Sequence, residues 1–362
     1  MEANRVLMAT RKGLIVFERA AGGWKLASEH FSEARVSYAC VDPRTGLLWA
    51  CLDHGHWGAK LHRSRDCGQT FEEIDLPAYP PGEQMRSHTG LESAARLYRV
   101  WALEAGGTGQ PGRLYLGTEP GGLFISDDDG TSWELSRGLW DHPSRREEWA
   151  GAGTEYPALH SIVVDPRDAD RLYVAISCGG VFETADGGAS WVPRNRGISS
   201  SFLPNPTAEV GHDPHCLVQC TARPDVLWQQ NHCGIFRSDD AAATWQEIAA
   251  TEETFGWGFP IAVDPEDPER AWVVPMDPSR TAPGRALAVY RTENGGGSWQ
   301  ALRRGLPQEH CYDLILRHGL DLHGDRLVMG SSTGNARLSE DRGDSWISLG
   351  THLPPIHAAR FA

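Results

Sequence analysis

The sequence predicts an all-β chain, a single seven-bladed β-propeller over residues 1–362, on three observations. One turn motif recurs six times: SRDCGQTF (Ser64 to Phe71), SDDDGTSW (Ser126 to Trp133), TADGGASW (Thr184 to Trp191), SDDAAATW (Ser238 to Trp245), TENGGGSW (Thr292 to Trp299) and SEDRGDSW (Ser339 to Trp346). Short alternating strands fill the roughly 40 to 60 residues between copies, the length of one blade that cannot bury its faces alone. The chain also opens partway through a repeat and closes on a segment resembling the missing part.

Each repeat reads as four antiparallel strands. An innermost strand A ends in a turn such as VDPRTG or VDPRDADR, a strand B such as RLYVAIS follows, and a strand C such as GVFET enters the motif, which turns the chain into the outer strand D. The A strands are expected to begin near Val36, Arg99, Leu159, His215, Phe259 and Tyr312. The N-terminus begins with B-like VLMAT and C-like GLIVFER and a degenerate motif ending at Trp24, with no A strand. PPIHAARFA at the C-terminus resembles YPALHSIVV, so Ile356 to Phe361 supply the missing inner strand, close the ring and remove two open sheet edges. The blades are then 356–361 with 1–33, 36–77, 98–138, 158–197, 215–250, 258–305 and 311–350.

In the pattern Ser/Thr-x-Asp-x-Gly-x-Ser/Thr-Trp, the Asp carboxylate accepts turn amides, the Gly takes a positive φ, and the Trp restarts a strand and buries a large apolar face between sheets. The motif resembles the Asp-box, or BNR repeat, of sialidases, xyloglucanases, sortilin-type receptors and photosystem II assembly factors. The resemblance covers essentially the whole chain and implies a sialidase-like or glycosyl-hydrolase-like propeller. In those families the box is remote from the active site, which implies a structural role for Asp66, Asp128, Asp186, Asp240 and Asp341. Ala242 replaces the glycine of the fourth copy and Asn294 the aspartate of the fifth, losses that a structural turn tolerates.

A net charge of −14 argues against a nucleic-acid or anionic-membrane partner. The N-terminus lacks a basic region followed by an apolar one, and no stretch is long enough to span a bilayer, so the expected location is the cytoplasm. Eight cysteines lie scattered without a paired framework and are expected to be mostly reduced and buried.

A–B turns and the repeated motifs are short and regular, whereas Ala78 to Leu97, Leu139 to Pro157, Ile198 to Pro214 and Met276 to Ala286 are long. By strand order all four long segments fall on one face, where binding residues concentrate on a rigid scaffold. Residues reaching the channel mouth there are Ser37, Arg99, His160, His215, Phe259, Tyr312, Asp313 and His357 from A strands. The B–C turns add Arg11, Lys12, Asp53, His54, His56, Glu119, Cys178, His232, Asp277 and Thr333.

Three chemistries compete for this ring. His160 and His215 are equivalent A-strand positions, and Cys178 and His232 equivalent B–C positions one blade apart. Imidazole and thiolate suit zinc, iron or copper, so these four are the candidate metal ligands, with HDPH (His212 to His215) and NHC (Asn231 to Cys233) adding others. The sialidase resemblance implies a carboxylate clamp of arginines and a Tyr nucleophile. Arg11 and Arg99 face the mouth, Arg280 and Arg285 lie in the sixth blade's insertion, and Tyr312 is near, but no FRIP-type motif and no complete arginine triad appear. A different glycosidase would need two carboxylates, for which Glu119, Asp53, Asp277, Asp313 and Glu155 form an unpaired pool. Third, Cys178 in Gly-rich SCGGV is a nucleophile candidate beside His160 or His232.

Among the loop aromatics Trp57, Trp140, Trp149, Trp257, Phe259 and Tyr312, Trp140 is the preferred sugar-stacking contact. The leading reading is an enzyme or small-molecule binder acting by hydrolase or lyase chemistry on a sugar-like or carboxylated substrate. Its catalytic candidates are His160, His215, His232, Cys178, Glu119 and Tyr312, and its ligand contacts Arg11, Arg99, His54, Trp140, Phe259, Asp313 and Thr333. The alternatives are a metal-dependent enzyme and a scaffold that holds a protein partner on the same face.

Overall fold

A computed structural model describes residues 4–151, 153–248 and 257–362; residues 1–3 of the first predicted blade and 249–250 of the fifth lie outside them. The fold is an all-β propeller. Its described strands form five four-stranded sheets, one eight-stranded sheet and a two-stranded hairpin, all neighbours antiparallel except one parallel bridge, His318 to Ala358, within the eight-stranded sheet. In that sheet the C-terminal strand Ile356–Phe361 pairs with Arg5–Thr10, Val6 opposite Phe361, and the N-terminal strands Gly13–Ala20 and Gly23–His30 follow outward.

The first strands of the sheets, Arg35–Val41, Arg99–Ala105, Leu159–Val164, Pro214–Gln219, Gly258–Val263, Ile315–His323 and Ile356–Phe361, each contact the next, and the last contacts the first. Every one of these inner strands breaks register against its partner near its start. Val36 faces Leu52 and Tyr38 faces Cys51, which leaves Ser37 unpaired. In the same way Trp101, His160, His215 and His357 fall at the shifts of their strands, and longer shifts contain Phe259 and Arg317. A β-bulge of this kind bends the strand and re-aims the extra side chain. Inner-strand positions thereby project into the channel.

The repeated turns share one hydrogen-bond pattern. In the first, Ser64 Oγ donates to Asp66 Oδ1 (2.7 Å) and accepts from the Gly68 amide (2.8 Å), while Thr70 donates its amide and hydroxyl to Asp66 (2.9 and 2.6 Å). The fifth copy keeps the geometry because Asn294 Oδ1 accepts as the aspartates do and its Nδ2 donates to Ser298 (3.0 Å). Ala242 stands at φ 62° in the glycine place of the fourth. Trp191, Trp245 and Trp346 are buried, Trp245 donating to the Arg194 carbonyl of the preceding sheet (2.8 Å). The predicted degenerate motif before Trp24 is instead a two-residue hairpin, with Ala20 opposite Gly23, and lacks a capping aspartate.

Three of the long segments carry structure of their own: Ala78 to Leu97 holds the hairpin Gln84–Arg86 and Glu92–Ala94, the helical turns Arg137–Trp140 and Ser144–Glu147 open the next, and Met276 to Ala286 holds the 3-10 turn Pro283–Arg285. No disulfide forms among the described cysteines; Cys51, Cys216, Cys220 and Cys311 are buried and Cys67 is exposed. Among the described residues no helix is long and apolar enough to cross a membrane.

Candidate functional site

Two groups of side chains meet at the mouth. The first is a recess of about 170 Å³ whose wall includes Arg35, Arg99 and Arg317 with Ser37, Trp101 and His357. Asp53 accepts from Arg35 (3.2 Å) and Arg99 (3.1 Å). Arg35 Nε also donates to His357 Nε2 (3.1 Å), and burial, reinforced by the Arg35 and Arg99 charges, pushes His357 down to about 4. Arg317 lies over the Phe259 ring (5.0 Å) and the Trp101 ring (5.6 Å), donates one bond to Ser177 Oγ (3.3 Å), and has no partner for its Nε among the described residues. Three guanidiniums stand here against one directly paired carboxylate, a surplus of positive charge.

Glu119 is bonded to Trp101, which forms part of the wall of this recess. It is 6% exposed and accepts from Trp101 Nε1 (3.2 Å), and it is the cross-strand partner of Arg99, as Asp53 is of Arg35. Burial raises its carboxyl, opposed by the Trp101 bond and the Arg99 charge and helped by Asp53. Two members of the acid pool thus neighbour Arg99, Asp53 by an ion pair and Glu119 across the ladder.

The second group is Asp213, His215 and His232, whose donor atoms lie within 4.8 Å of one another. Asp213 Oδ2 is 3.3 Å from His215 Nε2 and 3.7 Å from His232 Nδ1. The Asp213 carbonyl accepts from the His232 amide (2.9 Å), which latches the end of Leu227–Asn231 to the start of Pro214–Gln219. His215 Nδ1 meets the Gly258 carbonyl at 2.6 Å, and its ring packs at a tilt against Phe259 (4.6 Å between centroids). Burial opposes charge on Asp213, yet His215, Arg317 and His232 together hold its carboxyl below the usual range; burial also lowers His215.

Several expected roles are corrected. His160 is fully buried, its Nε2 donating to the Pro214 carbonyl (2.8 Å) and its Nδ1 accepting from Ser161 (3.0 Å), so both nitrogens are occupied and it leaves the ligand set. Cys178 presents its amide, not its sulfur, to Asp213 Oδ1 (3.3 Å); burial and the Asp213 charge push its thiol up to about 12, the opposite of an activated nucleophile. Trp140 is 1% exposed, packed on Tyr79 (4.5 Å), under the Arg145 guanidinium (3.7 Å) and bonded to Glu83 (2.6 Å), so it is core and no sugar contact. Arg145 is itself buried by that stacking.

Asp313 accepts from Ser331 (2.9 Å), Asn335 (2.8 Å) and Thr333, so Asp313 and Thr333 brace their own turn. The inner strand Ile315–His323 starts three residues past Tyr312, which leaves Tyr312 outside it, 56% exposed against Arg285. His54 Nδ1 accepts from the His56 and Trp57 amides (3.2 and 3.1 Å), and Arg11 is exposed at the rim. Phe259 is 7% exposed and acts by supporting His215 and Arg317. Asp277 bonds Thr281 and Arg285 within the insertion, and Glu155 pairs with His88 (3.3 Å). Sequence reasoning missed Arg35, Arg317 and Asp213. Arg35 occupies the same strand-start place as Arg99, and Asp213 stands inside HDPH, so two of the three carried a signal.

No protein-family profile matches the chain. Two oligoxyloglucan-reducing end-specific xyloglucanases are similar over 266 residues: that of Emericella nidulans is 24% identical, and a probable one of Neosartorya fischeri 25%. Each match covers 66% of this chain, which spans only 30% of the length of these relatives. Among solved structures, an ancestral GH74 enzyme superposes with a TM-score of 0.57 at 17% identity, over 94% of this chain and 40% of that one. YCF48 bound to D1 peptide gives 0.55 at 16% over 93% and 89%, and the periplasmic gluconolactonase of Pseudomonas aeruginosa 0.58 at 11% over 99% and 98%. These likenesses show a β-propeller fold.

Proposed function

We propose that this chain is a hydrolase of sugar-like substrates bearing a carboxylate or comparable anion, acting at the recess between Arg35, Arg99 and Arg317. One observation carries the reading: Arg99 pairs with Asp53 at 3.1 Å, stands across the ladder from Glu119, and lines the arginine recess. Glu119, raised by burial, is the proton donor to the leaving oxygen, and Asp53 is the second carboxyl of the pair. The guanidiniums orient the substrate through its anion. The names of the xyloglucanase relatives support sugar hydrolysis. The repeated turns support a place among Asp-box propellers. The cycle of inner strands supports seven blades closed by the C-terminal strand.

The test is calorimetric binding of glucuronate and glucose, then hydrolysis of chromogenic glucuronides and of xyloglucan oligosaccharides. The expected result is acidic-sugar binding at least about tenfold tighter than neutral-sugar binding, lost in Arg99→Met, with turnover lost in Glu119→Gln. Equal binding of both sugars, or binding unaffected by Arg99→Met, overturns it. A second reading, a protein-holding face, is favoured by the exposure of Trp57 (70%), Tyr312 (56%) and Phe202 (44%). YCF48 bound to D1 peptide is a structural neighbour consistent with it.

A further inference from the structure

We propose that Asp213, His215 and His232 form a binding site for one divalent transition-metal ion, zinc or iron(II) by ligand type. The site adjoins the arginine recess through Arg317 and Phe259 and does not depend on its proposed role. Two imidazoles and one carboxylate from two neighbouring segments of one sheet converge, and their donor separations of 3.3 Å and 3.7 Å bracket the spacing of about 3.4 Å that tetrahedral ligands at about 2.1 Å require. The remaining gap, within 4.8 Å, closes by a small movement of His232, whose side chain is 44% exposed.

His215 supplies the independent argument. Its Nδ1 faces the Gly258 carbonyl at 2.6 Å, and a carbonyl only accepts, so Nδ1 carries the hydrogen. In the neutral imidazole Nε2 then presents a lone pair, and what it faces, at 3.3 Å, is the Asp213 carboxylate, itself only an acceptor when ionised. Two buried acceptors 3.3 Å apart call for a metal ion or a proton between them. A metal ion there would receive both lone pairs, while the Gly258 bond fixes the His215 tautomer in the way that outer partners orient metal-ligating histidines. A second proton on His215 is the other cation that fits, and the two are experimentally distinct.

The surroundings leave Asp213 Oδ2 for the ion, because Oδ1 already accepts the Cys178 amide (3.3 Å). His215 and Asp213 are buried, at 2% and 3% exposure, whereas His232 borders solvent between Phe202 and Trp257. Three protein ligands with one open side is the arrangement that leaves a coordination position for water or substrate.

The experiment is zinc titration by calorimetry on tag-free, chelator-stripped protein, with cobalt(II) absorption as a second readout of coordination. Wild type is expected to take up one equivalent of zinc with a dissociation constant of about 1 µM or tighter, and His232→Ala and Asp213→Asn to bind roughly 100-fold more weakly. Cys178→Ala should bind as wild type does. His232 is partly exposed, so its variant should fold, and circular dichroism checks this. Absence of stoichiometric zinc uptake by folded wild type overturns the site in favour of a proton on His215. Uptake unchanged in both folded variants overturns it in favour of binding elsewhere.

Discussion

Trp140 shows how far the surroundings of one residue decide its role. The same indole that a loop sequence offers as a sugar platform is enclosed by Tyr79, Arg145 and Glu83. Trp140→Ala is expected to destabilise the protein by about 3–5 kcal/mol in urea denaturation and to leave acidic-sugar affinity unchanged. Cys178 makes the matching prediction for reactivity: at pH 8 iodoacetamide should label exposed Cys67 and spare Cys178, read by mass spectrometry of peptides. Glu104 titrates elsewhere, on a channel cavity of about 360 Å³ with Tyr38, Asp321 and Arg360, which shares Arg317 and His318 with the recess. Burial pushes its carboxyl up to about 7, against Arg360 and the Tyr38 bond. A free glutamate titrates near 4.3, so the folded chain holds a proton that the unfolded chain has already lost. The stability this group contributes is therefore full below about pH 4 and is lost as pH rises through 7. Relative to Glu104→Gln, wild type should lose melting temperature between pH 5 and 8; parallel curves would refute the assignment.

Strands and turns explain what could be read in advance. The six repeated turns announce their own geometry because Asp66 and its equivalents bond residues two and four positions away, a purely local requirement. Inner-strand positions follow from spacing, which places Arg99, His215 and His357 at the mouth, and the B–C turns place Glu119 and His232 there in the same way. Arg317 is not so placed, because the register shift between Ile315 and Leu320 moves the strand Ile315–His323 by a distance that no turn signal marks. Nor does loop sequence reveal which aromatic is enclosed, since Trp140 and Trp57 differ only in what packs on them. Contact between adjacent sheets depends on small residues that sequence likewise does not flag. A Cβ on Gly117 would come within 2.5 Å of the Leu159 carbonyl oxygen of the next sheet. Gly117→Ala should cost roughly 1–3 kcal/mol by overpacking, measured by urea midpoint.

At the scale of the molecule, the C-terminal strand decides whether the N-terminal strands have an inner partner. Ile356 and Ala359 are buried with Val6, Met8 and Val328 in one cluster. A chain truncated before Ile356 exposes both that cluster and a strand edge, and it is expected to elute as aggregate in size-exclusion chromatography where the full chain does not. A truncated chain that stays monodisperse with an unchanged melting temperature would contradict this.

The bulge repeated near the start of each inner strand has an evolutionary corollary. Residues such as Ser37 and Trp101 stand outside the backbone pairing of their sheets, so the ladder exerts little selection on their identity. Mutation can therefore exchange a hydroxyl for an indole or an imidazole at such a place while hairpin and neighbouring sheets persist. Lineages sharing this architecture can diverge in chemistry by editing a few sockets around one aperture, without inventing a new loop. Combinatorial libraries confined to Ser37, Trp101 and His357 would be the economical way to redirect its specificity.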